Sequence, residues 1–543
     1  MGGSRRRKFL AASAALAAAA GTGAAYWWYR VRAMQGMPHG AAPQAAAGDF
    51  PNPLRLPGAE GPLGVLDVSA PLTIAAKKTE LPIIAGKPAR QFAYEVLHQG
   101  KTYLNPVLRL KTGANYTAKL VNGLDEETII HWHGMLVDGK NDGHPRDAVG
   151  PGSAYDYKFK VANRAGTYWY HPHPHGTTGR QIYLGLASLL IVEDEEELAL
   201  QKTLDLALGA SDIPLMIQDK RIGDDGALRY DPGEDDWFAG LIGNRILVNL
   251  TARPHFNAST RIYRFRILNA ANARICRLAF ERGGERLEFH VIGTDGGLLE
   301  RPYRVTETFL SPAERLDVLL DLRAARIGDT VVLRSLEFDP MHQEGAGDAG
   351  KGHEGHDMSR MGAGAAMLPD GAAFDILQIR VTQQARAAGP IPDRLSAPGA
   401  PGMPQGMPRV FTLDQRERRW RINGLVFDMH ATPVTVKRGA SEIWEIRNAK
   451  ASMPHPMHLH GFHFQVLRRA GSPEQLRRLA IDERGLAPPD LGFKDTVLVW
   501  PGETVRFAVN FSHPFDGDQA HLFHCHNLEH EDRSMMINYR VAT

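Results

Sequence analysis

Apolar side chains recur at every second position in short runs along most of the chain. Tyr155, Tyr157, Phe159 and Val161 alternate with smaller or polar residues, and Tyr263, Phe265 and Ile267 alternate with Arg264 and Arg266. A period of two predicts half-buried β-strands. Residues 188–192, 316–322, 504–511 and 535–541 read as further strands, and helical periodicity is local, as around 474–479. Low-complexity breaks near 193–204 and 387–408 part the chain into three pieces of comparable size. The expected fold class is all-β, with sandwich domains at 48–200, 201–395 and 396–543.

Composition narrows the function. Lys plus Arg is 63 and Asp plus Glu is 61, a net charge of +2, which excludes a generic electrostatic nucleic-acid binder. The 55 Gly and 35 Pro favour turns and short strands, and two cysteines exclude a disulfide framework. Residues 1–47 read as an address. Arg6-Arg7-Lys8-Phe9-Leu10 precedes an Ala-rich apolar run, the pattern of a twin-arginine export signal. The expected location is the periplasm or cell envelope, with a retained N-terminal anchor as the alternative, since the run approaches the roughly 20 residues that span a bilayer.

The 23 histidines are clustered. The segments are His131-x-His133, His171-x-His173, His455-x-x-His458-x-His460, and His524-Cys525-His526 followed by His530 and Met535. On a strand, residues i and i+2 share a face, so each His-x-His offers two imidazoles in one direction. Cys525 then faces away from His524 and His526, and one strand can serve metal sites on both sides. Two His, one thiolate and a weak Met make a blue-copper site, and His455, Cys525, His530 and Met535 supply that set. The other eight clustered histidines come without carboxylate or thiolate and suit copper over hard, oxygen-seeking ions. The chain also repeats itself. His131-Trp132-His133-Gly134 matches His458-Leu459-His460-Gly461, and Tyr170-His171-Pro172-His173 matches Phe523-His524-Cys525-His526. The middle piece has no such pairs, so a duplicated module would place a metal site between the outer two.

These segments, in this order, resemble the copper motifs of the multicopper oxidases. The match is best with the bacterial copper-efflux and laccase-like branch, through residues 166–173 and 525–532, and it spans about 48–543. The resemblance implies three cupredoxin-like Greek-key sandwiches and four coppers. It assigns His455, Cys525, His530 and Met535 to a type 1 copper, and His131 and His458 to a type 2 copper. His133, His171 and His526 would bind one type 3 copper, and His173, His460 and His524 the other. None of these positions is substituted, which argues against copper-free relatives. The implied chemistry is one-electron oxidation of a donor at the type 1 copper, passage of electrons through Cys525 to His524 and His526, and four-electron reduction of dioxygen to water. Asp142 and Glu531 sit where family members keep proton-relay carboxylates.

The donor is the open question. Met341, His342, His353, His356, Met358, Met361 and Met367 lie among Gly, Ala and Asp, and soft thioethers with imidazoles suit weak Cu(I) binding. Family members carry such a segment just before the third domain's motifs, whereas here 387–408 holds only Met403 and Met407. The expected partners are therefore dioxygen and either Cu(I) or a phenolic donor, in a role in copper tolerance. A non-enzymatic, copper-sequestering envelope protein is the alternative, and a purely structural envelope protein a third. Storage leaves the His-Cys-His strand without purpose, and a structural role predicts missing ligands.

Overall fold

The computed structural model describes residues 49–84, 87–342, 368–385, 389–399, 404 and 406–543. The expected leader lies outside them, as do His353, His356, Met358, Met361 and Met367. Residues 49–543 gather into one compact unit of six sheets, arranged as three facing pairs. A six-stranded and a five-stranded sheet enclose Ile74, Tyr94, Tyr116, Trp132 and Leu190. Two seven-stranded sheets enclose Phe256, Phe265, Phe280, Val318 and Ile379. A second six-plus-five pair encloses Phe411, Trp444, Met457, Phe507 and Phe523. The strand Asn52–Pro53 crosses between pairs, running parallel to Pro254–Ser259 in a sheet of the middle pair. Among the described residues no helix is long and apolar enough to cross a membrane.

Two local readings differ from the pattern analysis. The acidic stretch that reads as a low-complexity break contains the helix Glu195–Leu204, whose N-cap Asp194 accepts from the Glu197 N–H. Three glutamates in its first turn oppose the positive end of the helix dipole, so the charge run is a helix start. The strand Ile262–Asn269 is buried on both faces. Arg264 and Arg266 do not reach water; they bind Glu197, Asp212 and Asp317 in a fully buried ionic cluster. Alternation signals a half-buried strand only where the polar face is left uncovered, and here a helix and the first sheet pair cover it.

The internal repeat becomes a shared strand order. In the first pair Ile130–His133 lies antiparallel to Gly166–Pro172, which pairs with Ser188–Glu193. In the third, His455–Leu459 lies antiparallel to Gln519–Cys525, which pairs with Met536–Ala542. Each pairing sets histidines opposite one another, His131 with His171 and His458 with His524. The glycines closing the two His-x-His-Gly motifs, Gly134 and Gly461, have φ of +84° and +71°. A Cβ on Gly461 would meet the His521 ring at 2.5 Å, and one on Gly134 would meet Asp495 Oδ2 at 2.5 Å.

Candidate metal centre

Three trios of imidazoles form between the two repeated modules: His131, His133 and His458; His133, His171 and His526; and His173, His460 and His524. A fourth group joins His455, Cys525 and His530. Within each, the donor atoms lie within 4.8 Å of one another, and all of these residues are buried. All eleven of these histidine and cysteine residues from the sequence reading are thus brought together. Met535 is buried against them, its N–H donating to the His530 carbonyl at 2.9 Å and its carbonyl accepting from the Cys525 N–H at 3.0 Å.

Hydrogen bonds decide which nitrogen each ring offers. Nδ1 of His131 meets the Asp142 carbonyl at 2.6 Å, Nδ1 of His171 the Pro172 carbonyl at 2.9 Å, and Nδ1 of His524 the Cys525 carbonyl at 3.0 Å. Nδ1 of His458 meets the Asp495 carbonyl at 2.9 Å, and Nδ1 of His460 meets Asp142 Oδ2 at 3.0 Å. A neutral imidazole has one N–H, so each of these rings turns a bare Nε2 lone pair inward. The Nε2 atoms of His460 and His524 come within 2.9 Å, and those of His131 and His458 within 3.4 Å. Facing lone pairs at such distances repel unless a cation lies between them. Both ring nitrogens of His526 and Nδ1 of His173 are buried without a protein partner. The donor set therefore fits metal ions.

Burial keeps the rings in the form that binds metal. Desolvation, reinforced by neighbouring imidazoles, holds His171, His455 and His526 well below the ordinary histidine range and takes His173 to about 3 and His458 to about 4. In the fourth group His530 Nε2 donates to the Phe238 carbonyl at 2.8 Å, leaving Nδ1 3.6 Å from Cys525 Sγ. His455 Nδ1 lies 3.5 Å from the same sulfur, and its Nε2 meets Ser452 Oγ at 3.3 Å. Burial pushes the Cys525 thiol up, so a bound cation would have to stabilise the thiolate. Two imidazoles, one thiolate and a nearby methionine are soft donors suited to copper.

The expected carboxylates lie beside the imidazoles. Burial alone would raise Asp142, but His460 and His521, with bonds from His131 and His460, outweigh it and hold the carboxyl well below its usual range. Glu531 sits 3.5 Å from His173 Nε2 and 3.3 Å from His524 Nδ1. Burial opposes ionisation there too, yet His173 and His524 hold the carboxyl low. Of the flanking histidines, His463 Nε2 donates to the Gly134 carbonyl at 2.8 Å, while His144 bonds Asn538 at 2.8 Å. His175 is exposed, its ring 5.3 Å from that of Phe427. Cys276 is a core residue of the middle pair.

Three polar residues at the site escaped sequence reasoning. His521 Nδ1 lies 3.0 Å from Asp142 Oδ2. Asp495 accepts from His133 Nε2 at 3.0 Å, and Arg315 pairs with Asp495 from the middle sheet pair. The spacing of His521, three residues before His524, was the one available signal. Asp495 and Arg315 lie 362 and 182 residues from His133 and carry no motif of their own.

Comparison with known proteins agrees with the site. Multicopper oxidase family models match residues 86–197 and 402–543. The chain is 31% identical to the multicopper oxidase mco of Staphylococcus haemolyticus, over 81% of this chain and 82% of that protein. The crystal structure of the McoA multicopper oxidase of Aquifex aeolicus superposes with a TM-score of 0.79 at 39% identity, covering 91% of this chain and 99% of that one. A cell division protein, FtsP of Photorhabdus laumondii, is 30% identical over 79% of this chain and 82% of its own. The sandwiches, the copper-type donor groups and these relatives make the chain a member of the multicopper oxidase family, a copper-binding oxidoreductase that uses oxygen.

Proposed function

We propose that the protein couples one-electron oxidation of a small donor to the four-electron reduction of dioxygen to water, in a role in copper tolerance. His455, Cys525, His530 and Met535 would hold a type 1 copper, and His131 and His458 a type 2 copper. His133, His171 and His526 would hold one type 3 copper, and His173, His460 and His524 the other. Copper in these sites supplies the one-electron steps and the place where dioxygen is reduced. The observation that carries the reading is the chain order His524-Cys525-His526, whose three side chains enter three different donor groups. The thiolate of one group is thereby joined through a few covalent bonds to imidazoles of the others.

The protein's own residues exclude water and manage protons. Cys525 is buried among Met457, Met535 and Phe523, so the thiolate group stays dry. Asp142, whose Oδ1 has no hydrogen-bond partner, and Glu531, neither of whose oxygens has one, are the ionised carboxylates beside the imidazoles that would pass protons toward the reduction, which consumes four.

Cu(I) is the favoured donor, with phenols as the second class. Support comes from the described end of the Met/His segment. Met341 packs near Phe309, Phe338 and Trp500, and His342 Nε2 lies 3.2 Å from Asp370 Oδ2, partly exposed. Burial chiefly lowers His455 and His530, and the nearby His342 imidazole lowers both further, which sets this end of the segment on the Cys525 side of the protein. Delivery to the periplasm or envelope by the twin-arginine route belongs to the same reading and rests on Arg6-Arg7-Lys8-Phe9-Leu10.

The test is oxygen uptake by copper-loaded protein given Cu(I) or a phenol, against an enzyme-free blank. Faster uptake with Cu(I), lost on deleting residues 341–367, establishes a cuprous oxidase with a dedicated segment. Faster uptake with the phenol, untouched by the deletion, makes the protein laccase-like. Retained copper without uptake from either donor would leave the sequestering reading standing.

A further inference from the structure

Among the imidazoles gathered between the two repeated modules, His133 is held differently from its neighbours. Its Nε2 is taken by Asp495 Oδ1 at 3.0 Å, and its Nδ1 lies 3.2 Å from His171 Nε2. It therefore offers Nδ1 inward, where five neighbouring rings offer Nε2. Asp495 Oδ1 also accepts from Arg315 Nη1 at 2.8 Å and Thr496 Oγ1 at 2.9 Å, and the Asp495 carbonyl accepts from His458 Nδ1 at 2.9 Å. One residue thus fixes two imidazoles, His133 by its side chain and His458 by its backbone.

Arg315 opens the strand Arg315–Asp321 of the middle sheet pair, which among the described residues contributes no imidazole to the cluster. Its guanidinium reaches all three modules. Nε donates to the Thr167 carbonyl of the first at 3.1 Å, Nη1 to Ala313 at 2.9 Å and Nη2 to Asp295 at 3.0 Å in the middle one, and both Nη atoms to Asp495 of the third. Arg315, Asp295 and Asp495 are fully buried, so no water can replace these bonds. Lys494 closes the network, 3.2 Å from Asp295 and 3.1 Å from Glu314.

We propose that Asp495 and Arg315 are a positioning pair that fixes which nitrogen His133 turns to its metal, and that through Arg315 the ligand-free middle module orders the histidine cluster. The proposal rests on reading His133 and His458 as copper ligands. Hydrogen bonds to the outer nitrogen of a ligating imidazole set its tautomer and ring orientation, and losing such a partner costs roughly 10- to 100-fold in metal affinity. Arg315 touches no imidazole; it acts by denying Asp495 any other orientation.

The experiment uses full-length, copper-loaded Asp495→Ala, Asp495→Asn and Arg315→Met proteins. Copper per chain after challenge with a chelator, the type 2 paramagnetic resonance signal and the blue absorbance of the Cys525 group are read together. Expected for Asp495→Ala is cluster copper held roughly 10- to 100-fold less tightly, a shifted type 2 signal and an intact blue band. Arg315→Met gives the same cluster defect, and Asp495→Asn, which keeps an acceptor oxygen without the charge, an intermediate one. Parental retention and signal in both Asp495→Ala and Arg315→Met overturn the proposal. Should Asp495→Ala lose the blue band as well, Asp495→Asn decides: a shifted type 2 signal with the blue band intact supports the pair, and an unshifted one overturns it. His458→Ala tests the reading beneath it. If that variant keeps parental copper and signals, the ligand assignment has failed and the pair's role falls with it.

Discussion

Gly134 and Gly113 share a φ of +84° but not their surroundings, and the contrast separates two costs of adding a methyl group. At Gly113 a Cβ would meet nothing within 4 Å, so Gly113→Ala carries only the left-handed backbone penalty. That is about 1–2 kcal/mol. At Gly134 the same Cβ would lie 2.5 Å from Asp495 Oδ2, 2.9 Å from Arg315 Nη2 and 3.0 Å from the Tyr168 ring. All three side chains are fully buried, so the carboxylate or the guanidinium must give way. Breaking a buried ion pair costs roughly 3–5 kcal/mol, which sets the ceiling on the extra destabilisation. Relaxation that pushes Asp495 aside recovers part of it but moves the acceptor of His133. Urea denaturation and copper content of the two variants are the assay. Gly113→Ala should lose a little stability and keep all its copper. Gly134→Ala should lose more stability and also release cluster copper. Equal loss of stability in both, with cluster copper retained in Gly134→Ala, would refute the reasoning.

Other perturbations probe separate parts of the molecule. Cys525→Ser replaces the soft sulfur beside His455 and His530 with a hard oxygen; the blue colour and turnover should vanish while cluster copper stays, and surviving turnover would sink the assigned route. Asp142→Asn should slow oxygen reduction by about 10²-fold or more, with the deficit growing as pH rises and bulk protons become scarce; an unchanged rate and pH profile removes Asp142 from the relay. Arg264→Met removes the 2.5 Å bonds to buried Glu197 and Asp317 and leaves Arg266 as their one remaining cation in the cluster, so it should cost up to roughly 3–5 kcal/mol in urea without changing the copper spectra of the folded protein. Lys220 is fully buried, and desolvation lowers its ammonium from 10.5 to about 7. Between those values the unfolded chain holds a proton that the folded chain has released, so this residue makes stability rise with pH from about 7 toward 10.5. Lys220→Met should flatten that rise in the urea midpoint, and an identical slope would show that the group stays charged in the fold.

How much of this was legible in the sequence follows from where each residue's partner lies. Strands were readable because their period is local, and His-x-His pairs because alternation puts both rings on one face whatever the tertiary fold. Cys525 between His524 and His526 announced two sides of one strand, and the structure seats the three side chains in three groups. The acidic start of Glu195–Leu204 looked like a linker because its charges serve a helix dipole and not an apolar stripe. Arg264 and Arg266 looked solvated because the carboxylates that neutralise them come from residues 197, 212 and 317, remote in sequence.

The carboxylates divided as they did for the same reason. Asp142 and Glu531 were found through the histidine motifs beside them, whereas Asp495 was invisible although its side chain touches His133. Nothing in a Lys-Asp-Thr triplet advertises a contact with an imidazole 362 residues away. Yet the two aspartates work in complementary ways. Asp142 engages the Nδ1 atoms of His131 and His460, so those rings offer Nε2; Asp495 engages Nε2 of His133, so that ring offers Nδ1. The candidate ligand atoms that the motifs reveal are thus only the inward half of each ring. The outward half, which fixes the tautomer, is held by residues scattered over all three modules, and only folding assembles it. That is a physical reason for a middle module whose described residues add no imidazole to the cluster to persist in this chain: Arg315 needs a strand of its own from which to reach the other two.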